Sequence, residues 1–269
     1  MATSSTFTAT DGDAYQRQMG RWSRRLAEPF LDFCGTADEE EVLDVGCGTG
    51  SLSFALARRA NVRRVCGLDY APAYVDFASR QNQDRRIEFR TGDATAMPYA
   101  DRSFDRVLSL LMLHFVPQAE RAVAEMRRVA RPGATVAASV WDTRGGLLMT
   151  RIFWDTAAAI EPEADALRAQ HYVRPMTRPG ELAKAWRDAG LTDVRDAALT
   201  IRMDFASFDD YWLPYQGGQG PIAAYVATLS DQRRLNLRDH VRRAYLDGEA
   251  DGPRSYAAIA WAVKGIAPR

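Results

Sequence analysis

The chain has 269 residues, enough for one large domain or two small ones at roughly 150 residues per domain. Its 46% hydrophobic and 26% charged residues exclude disordered, collagen-like and fibrous classes. Lys+Arg 35 against Asp+Glu 35 leaves zero formal charge, which removes any whole-chain electrostatic argument for a nucleic-acid or anionic-membrane partner. The opening MATSSTFTATDGD lacks the basic and apolar regions of a signal peptide and reads as an unstructured start to a cytoplasmic protein. AYQRQMGRWSRRLAEPF follows, and the helical spacing of Trp22, Leu26 and Phe30 predicts an N-terminal helix. Tyr15, Arg21 and Trp22 on it are candidates to fold over a bound ligand, with simple packing of the apolar face as the alternative.

From 41 to 141 short apolar runs alternate with helical patterns, the signature of successive βαβ units and a parallel sheet. The predicted strands are 41–46, 62–69, 87–93, 104–113 and 134–142. Helices are expected over SLSFALARRA, from Pro72 to about Arg80, and over 118–130. Proline suits a first helical turn because it has no amide hydrogen to lose there. Arg131-Pro132-Gly133 is the expected stop for the last of these helices. Beyond it, 147–160 and 221–246 read as helical, 178–194 as a helix closed by Gly190, and 194–205 and 255–264 as strands. Gly217-Gly218-Gln219-Gly220-Pro221 marks a loop. No linker or internal repeat divides the chain, so a single domain over 1–269 is expected, with a core at 40–142 and insertions at 143–175 and 204–250.

The cysteines Cys34, Cys47 and Cys66 have neither an even count nor a zinc-like spacing, so no metal site is expected and a reducing compartment fits. No apolar run approaches the roughly 18 residues a membrane helix needs, so no membrane partner is expected. The sequence carries no signal for oligomeric state.

The sharpest local signal is Asp44-Val45-Gly46-Cys47-Gly48-Thr49-Gly50, directly after a strand and directly before a helix. Glycines there let a ligand approach the backbone, and the helix N-terminal amides face it. Asp69 ends the next strand at roughly the 20-residue spacing of an acid that binds ribose hydroxyls; capping the helix at Pro72 is the alternative role. A nicotinamide-type turn wants Gly or Ala where Ser51 stands. Asp44 would repel a pyrophosphate and welcome an ammonium or sulfonium, so the charge logic favours a cationic, phosphate-free nucleoside.

VLDVGCGTG, Asp69, GDA at 92–94, FDRV at 104–107 and RVARPGA at 128–134 together resemble class I S-adenosylmethionine-dependent methyltransferases, the group that includes the ubiquinone and menaquinone biosynthesis enzymes. The resemblance covers about 40–142, with a weaker match at PGELAKAWRDAGLTDV. It implies an α/β, Rossmann-like, seven-stranded and mostly parallel sheet with helices on both faces and a helical lid, ending in an antiparallel strand near 255–264. It further implies S-adenosylmethionine as cofactor, with Gly46, Gly48 and Gly50 lining its amino-acid and ribose end and Asp44 near its ammonium. Asp69 would hold the ribose, Asp93 and Ala94 the adenine, and the backbone around Leu110 would touch the cofactor. For Asp93 a turn-forming role after Gly92 is the alternative.

Methyl transfer from a sulfonium asks the protein mainly for binding, alignment and exclusion of water. His114, after the fourth strand, is the candidate base among His114, His171 and His240, with a structural hydrogen bond at the strand end as the alternative. Phe153-Trp154 and Tyr211-Trp212-Leu213-Pro214-Tyr215 point to an aromatic lid, so Tyr15, Trp22, Trp154, Tyr211 and Trp212 are the candidate substrate contacts. Leu110-Leu111-Met112-Leu113 stands where an Asn/Asp-Pro-Pro-Tyr/Phe motif would have marked base amino groups as the target. A small uncharged or aromatic acceptor, and no nucleic acid, is the expectation. The readings kept beside the methyltransferase are a nicotinamide-dependent oxidoreductase on the same core and a non-catalytic cofactor-binding partner protein.

Overall fold

The computed structural model describes residues 5–7, 11–217 and 219–269. Of the expected unstructured start, 1–4 and 8–10 lie outside the described residues, as does Gly218 of the expected loop. The described part of that start departs from the expectation. Thr6 donates its amide to the Phe115 carbonyl at 2.9 Å, and the Phe7 ring packs edge-on to Phe115 at 4.8 Å.

Helix α1 (Gly12–Tyr15), capped by the Asp11 carboxylate, runs through a π turn at Gln16–Gly20 into α2 (Arg21–Cys34). The strands are β1 (Glu41–Val45), β2 (Arg64–Asp69), β3 (Ile87–Thr91), β4 (Phe104–Leu110) and β5 (Ala130–Trp141), and α3 (Ser51–Arg59), α4 (Pro72–Gln81) and α5 (Ala119–Val129) connect them. Helices α6 (Leu148–Ile160), α7 (Pro162–Tyr172) and α8 (Glu181–Asp188) precede β6 (Thr192–Phe205). Helices α9 (Phe208–Trp212), α10 (Gly220–Thr228) and α11 (Asp231–Leu246) lie between it and β7 (Arg254–Ile266).

These strands form one seven-stranded sheet in the order β3-β2-β1-β4-β5-β7-β6, in which β7 runs antiparallel to both neighbours and the other pairings are parallel. The near-continuous apolar runs of β1 and β4 follow from burial on both faces. Alternate residues serve opposite cores: Val42, Val65 and Ala137 join Leu26, Phe30 and Leu52 of α2 and α3, while Leu43, Cys66 and Val136 join Val123 and Met126 of α5 and Trp186 of α8. Among the described residues no helix is long and apolar enough to cross a membrane.

Several boundaries moved for local reasons. The fourth strand ends at Leu110, because Leu111 turns into the left-handed region at φ 64° and the chain enters a 3₁₀ turn at Leu113–Phe115. The stretch expected as one helix at 221–246 is two, since Ser230 is extended and its hydroxyl accepts from the Arg233 amide to cap α11. The helix expected over 178–194 stops at Asp188. Gly190 at φ 77° ends it, as expected, but pairing with β7 begins already at Thr192. The fifth strand starts at Ala130, immediately where α5 stops, so Arg131-Pro132-Gly133 lies within the strand.

Candidate functional site

The parallel topology brings the carboxyl ends of β1, β2 and β4 together, and the ligand crevice of an open α/β sheet lies at such a strand edge. The turn after β1 is tied to the end of β2: Gly46 and Cys47 donate amides to the Leu68 carbonyl at 2.7 and 3.1 Å. Gly46 holds φ 74° and lies so close to Met112 that a Cβ would approach its side chain to 2.3 Å, so both backbone twist and space require glycine.

Asp69 accepts from the Gly48 amide at 2.8 Å and from the Ala71 amide at 2.9 Å. It thus fixes the glycine turn and ties down the residue before α4, while α4 itself has no side-chain cap. Burial pushes its carboxyl up, and the backbone donors hold it back. Asp44 is buried beneath the turn. Its Oδ2 accepts from the Ser53 hydroxyl at 2.7 Å while Oδ1 has no partner. Burial pushes Asp44 up to about 7, against the Ser53 hydrogen bond and with the Asp69 charge adding to the rise. Asp93 forms the turn, its Oδ1 accepting from the Thr95 amide and hydroxyl at 2.7 and 2.8 Å.

A cleft enclosing about 740 Å³, open solvent at its mouth included, gathers these groups. Gly46, Gly48, Asp69, Asp93, Ala94 and Leu110 all line it. Gly50 does not. It starts α3 at φ 86° and packs on Phe54 and Phe89 instead. The cleft walls also include Tyr70, Tyr74 and Met112, none of which the sequence singled out.

A second chamber of about 670 Å³, measured the same way, lies deeper, and Phe7, Tyr15, Leu111 and Phe115 form the wall it shares with the cleft. Tyr15 is held there by its ring contact with Tyr74 at 5.0 Å and by its hydroxyl to Ser23 at 3.2 Å. His114 lines this chamber, almost fully buried, with Nδ1 unpartnered, and burial holds its imidazole well below the usual range.

The aromatic lid reading needs correction at four positions. Trp22 is 2% exposed and packs edge-on to Phe205, with the Arg21 guanidinium 4.4 Å over its ring. Trp154 stands behind the chamber against Phe153 and Tyr225. Tyr211 donates its hydroxyl to the Met149 carbonyl at 2.8 Å, and Trp212 stacks on Phe208. None of the four lines the cleft or the chamber. Large aromatic rings bury the most apolar area, and here that area closes the core beneath the covering helices. The residues missed were His171, Arg174, Gln18 and Thr143, which do line the chamber. They come from segments with no motif, so periodicity offers no signal for them.

Residues 43–138 match the family model described as a methyltransferase domain. That segment, about a third of the chain, is similar to a methyltransferase domain. The match spans β1 to β5 and so contains the glycine turn, Asp69, Asp93 and Leu110. Similar proteins include ajmaline N-methyltransferase of Rauvolfia serpentina, 29% identical over 172 residues, 60% of this chain and 53% of that protein. Demethylmenaquinone methyltransferase of Renibacterium salmoninarum is 40% identical over 116 residues, 43% of this chain and 46% of that protein. The chain thus spans about half the length of these curated relatives. Among solved structures, phosphoethanolamine N-methyltransferase 2 of Haemonchus contortus, in complex with phosphomonomethylethanolamine and S-adenosylhomocysteine, superposes with a TM-score of 0.60 at 14% identity. It covers 96% of this chain and 57% of that one, and shows a shared fold.

Proposed function

We propose that the chain transfers a methyl group from S-adenosylmethionine to a small molecule with an apolar or aromatic body. The observation that carries this reading is the charge of the cleft. Asp69 and Asp93 line it, Asp44 lies beneath it with a bare Oδ1, and among the described residues no Lys, Arg or His lines it. Such a lining favours a cationic nucleoside and opposes the pyrophosphate of a nicotinamide dinucleotide. The unpartnered Asp44 oxygen fits an ammonium, because a buried acceptor left bare costs roughly 1–3 kcal/mol that a donor recovers.

In this reading the bare backbone of Gly46 and Gly48 takes the amino-acid and ribose end, Asp69 the ribose hydroxyls, and Asp93 with the Ala94 amide the adenine. The cofactor, when bound, supplies a methyl already activated on a sulfonium. The protein supplies alignment and dryness: Phe7, Tyr15, Leu111 and Phe115 hold the boundary at which donor and acceptor meet, and near-attack alignment is where such transfers gain most. His114, expected as the base, is kept neutral and weakly basic by burial, so it serves the acceptor as a hydrogen-bonding partner. We further read 1–269 as one domain, its core 40–142 and its covering segments 143–175 and 204–250, and place it in a reducing, cytoplasmic setting, consistent with three buried free cysteines.

Calorimetry with S-adenosylhomocysteine tests the reading. Binding to the full chain is expected, and Asp69→Ala is expected to weaken it about 10- to 100-fold, the worth of a charged hydrogen-bonded contact. A folded sample that gives no heat with S-adenosylhomocysteine, or that binds it equally well without Asp69, would overturn the assignment.

A further inference from the structure

The inner chamber combines an apolar body with one polar corner. Met19, Trp141, Leu147, Met149 and Ile222 supply the apolar walls. At the corner stand His114, His171 and Arg174. His171 is 8% exposed with neither ring nitrogen partnered, His114 is 2% exposed with Nδ1 bare, and the buried Nε of Arg174 has no acceptor. Buried polar atoms are ordinarily paired, so a cluster of bare ones on a cavity wall marks where a ligand completes them.

The charge at this corner is a single positive one. Burial holds both imidazoles below the usual range, His171 down to about 3, so neither is protonated at neutral pH. Arg174 is lowered only to about 10 and stays charged. Its guanidinium stands 4.7 Å over the Phe115 ring, in the wall shared with the cleft, and among the described residues no carboxylate pairs with it. Arg106, the other deeply placed guanidinium, is by contrast clamped by Glu40. A partly buried guanidinium without a counter-ion is expensive, and a planar carboxylate is the group its fork geometry fits.

A second opening reaches the same corner. It lies between Val173 and Ala224 at the surface and is lined by His114, Arg174, Gly220 and Pro221, all of which also line the chamber. The guanidinium thus borders both the chamber and a surface pocket outside the cleft.

We propose that the methyl acceptor is a monocarboxylic acid with an apolar or aromatic body, its carboxylate held by Arg174 with His114 and His171 donating beside it. One cation flanked by two neutral imidazoles matches one negative charge, whereas a phosphate dianion would leave a charge uncompensated in an apolar surround. The proposal rests on the methyltransferase reading and names the substrate class of the same site, replacing the uncharged acceptor that the sequence led us to expect with a singly charged one.

The test titrates the full chain, saturated with S-adenosylhomocysteine, with 3-phenylpropionate and decanoate, each against its own amide, and with phenyl phosphate. At least one acid is expected to bind ten-fold or more tightly than its amide. Arg174→Met is expected to abolish that ratio, Arg174→Lys to keep part of it, and both to leave S-adenosylhomocysteine affinity unchanged. His171→Leu, which replaces two bare nitrogens by an apolar side chain and so spares the fold, is expected to lower the ratio several-fold. Equal binding of acids and amides, no binding of either acid to the cofactor-loaded protein, or tighter binding of phenyl phosphate overturns the proposal. Failure of the wild type to bind S-adenosylhomocysteine at the first step would instead overturn the methyltransferase reading beneath it.

Discussion

Asp44 keeps one oxygen on Ser53 and the other bare, and burial pushes it up to about 7, so binding beside it is expected to depend on pH. The sign follows from linkage. Its folded pKa lies above the ordinary 3.8, so the folded state retains a proton that the unfolded chain has lost between about 3.8 and 7. This group's contribution to stability therefore declines as pH rises through that window and is level above it. A ligand ammonium favours the carboxylate. S-adenosylhomocysteine binding is thus expected to tighten from pH 5.5 to 7.5 and to release a proton at pH 6, measurable by calorimetry in buffers of different ionisation heat. Asp44→Asn should flatten the profile. The motif residues at this scale were legible because strand, glycine turn and acid each impose a local constraint. Trp154, Tyr211 and Trp212 were misread because the same ring serves core and cavity wall equally well, and only packing decides between them.

Among the elements, α2 and the strands it covers are joined by a mostly buried ion pair. Arg106 of β4 makes two bonds to Glu40 at 2.7 and 2.9 Å and a third to the Cys34 carbonyl at the end of α2, at 3.2 Å. Glu40→Ala leaves that guanidinium without a counter-ion and is expected to cost about 3–5 kcal/mol in urea unfolding, while replacing both partners by apolar residues of similar volume should cost far less. The βα alternation from β1 to β5 was readable because helix and strand periods differ sharply there. Helix α7 escaped the sequence reading: only Ala164 and His171 of its residues are buried, so it shows no apolar stripe. The apolar run after β4 hid the turn at Leu111, since a left-handed leucine leaves no compositional trace.

For the molecule as a whole, the sheet order gathers positions 46, 48, 69, 93 and 110 around one cleft, although they are far apart in the chain. Ligand binding at such a junction is coupled to global stability. At 100-fold excess over Kd, S-adenosylhomocysteine is expected to add about 2.7 kcal/mol and to raise Tm by roughly 5–10 °C, read by differential scanning calorimetry; an unchanged Tm at saturation would contradict it. The cleft-lining Gly46, Gly48, Asp69, Asp93 and Leu110 were legible at this scale because each sits at or just after a strand end. Gln18, Thr143, His171 and Arg174 were not, because only the folded covering segments bring them together.

The π turn between α1 and α2 accommodates one residue more than a regular helical turn, and π turns of this single-turn kind often sit at functional sites. Gly20 closes it, leaving room for the Gln16 carboxamide, which reaches Thr49 of the glycine turn at 2.5 Å. The segment therefore behaves as stored length. Shortening it by one residue lets an ordinary α turn span the same gap, so that Tyr15 and Trp22 keep their facing while Gln16 loses its reach. A chain with such an indel would fold around an intact core and an intact shared wall, yet its N-terminal strap would no longer be latched to the glycine turn after β1.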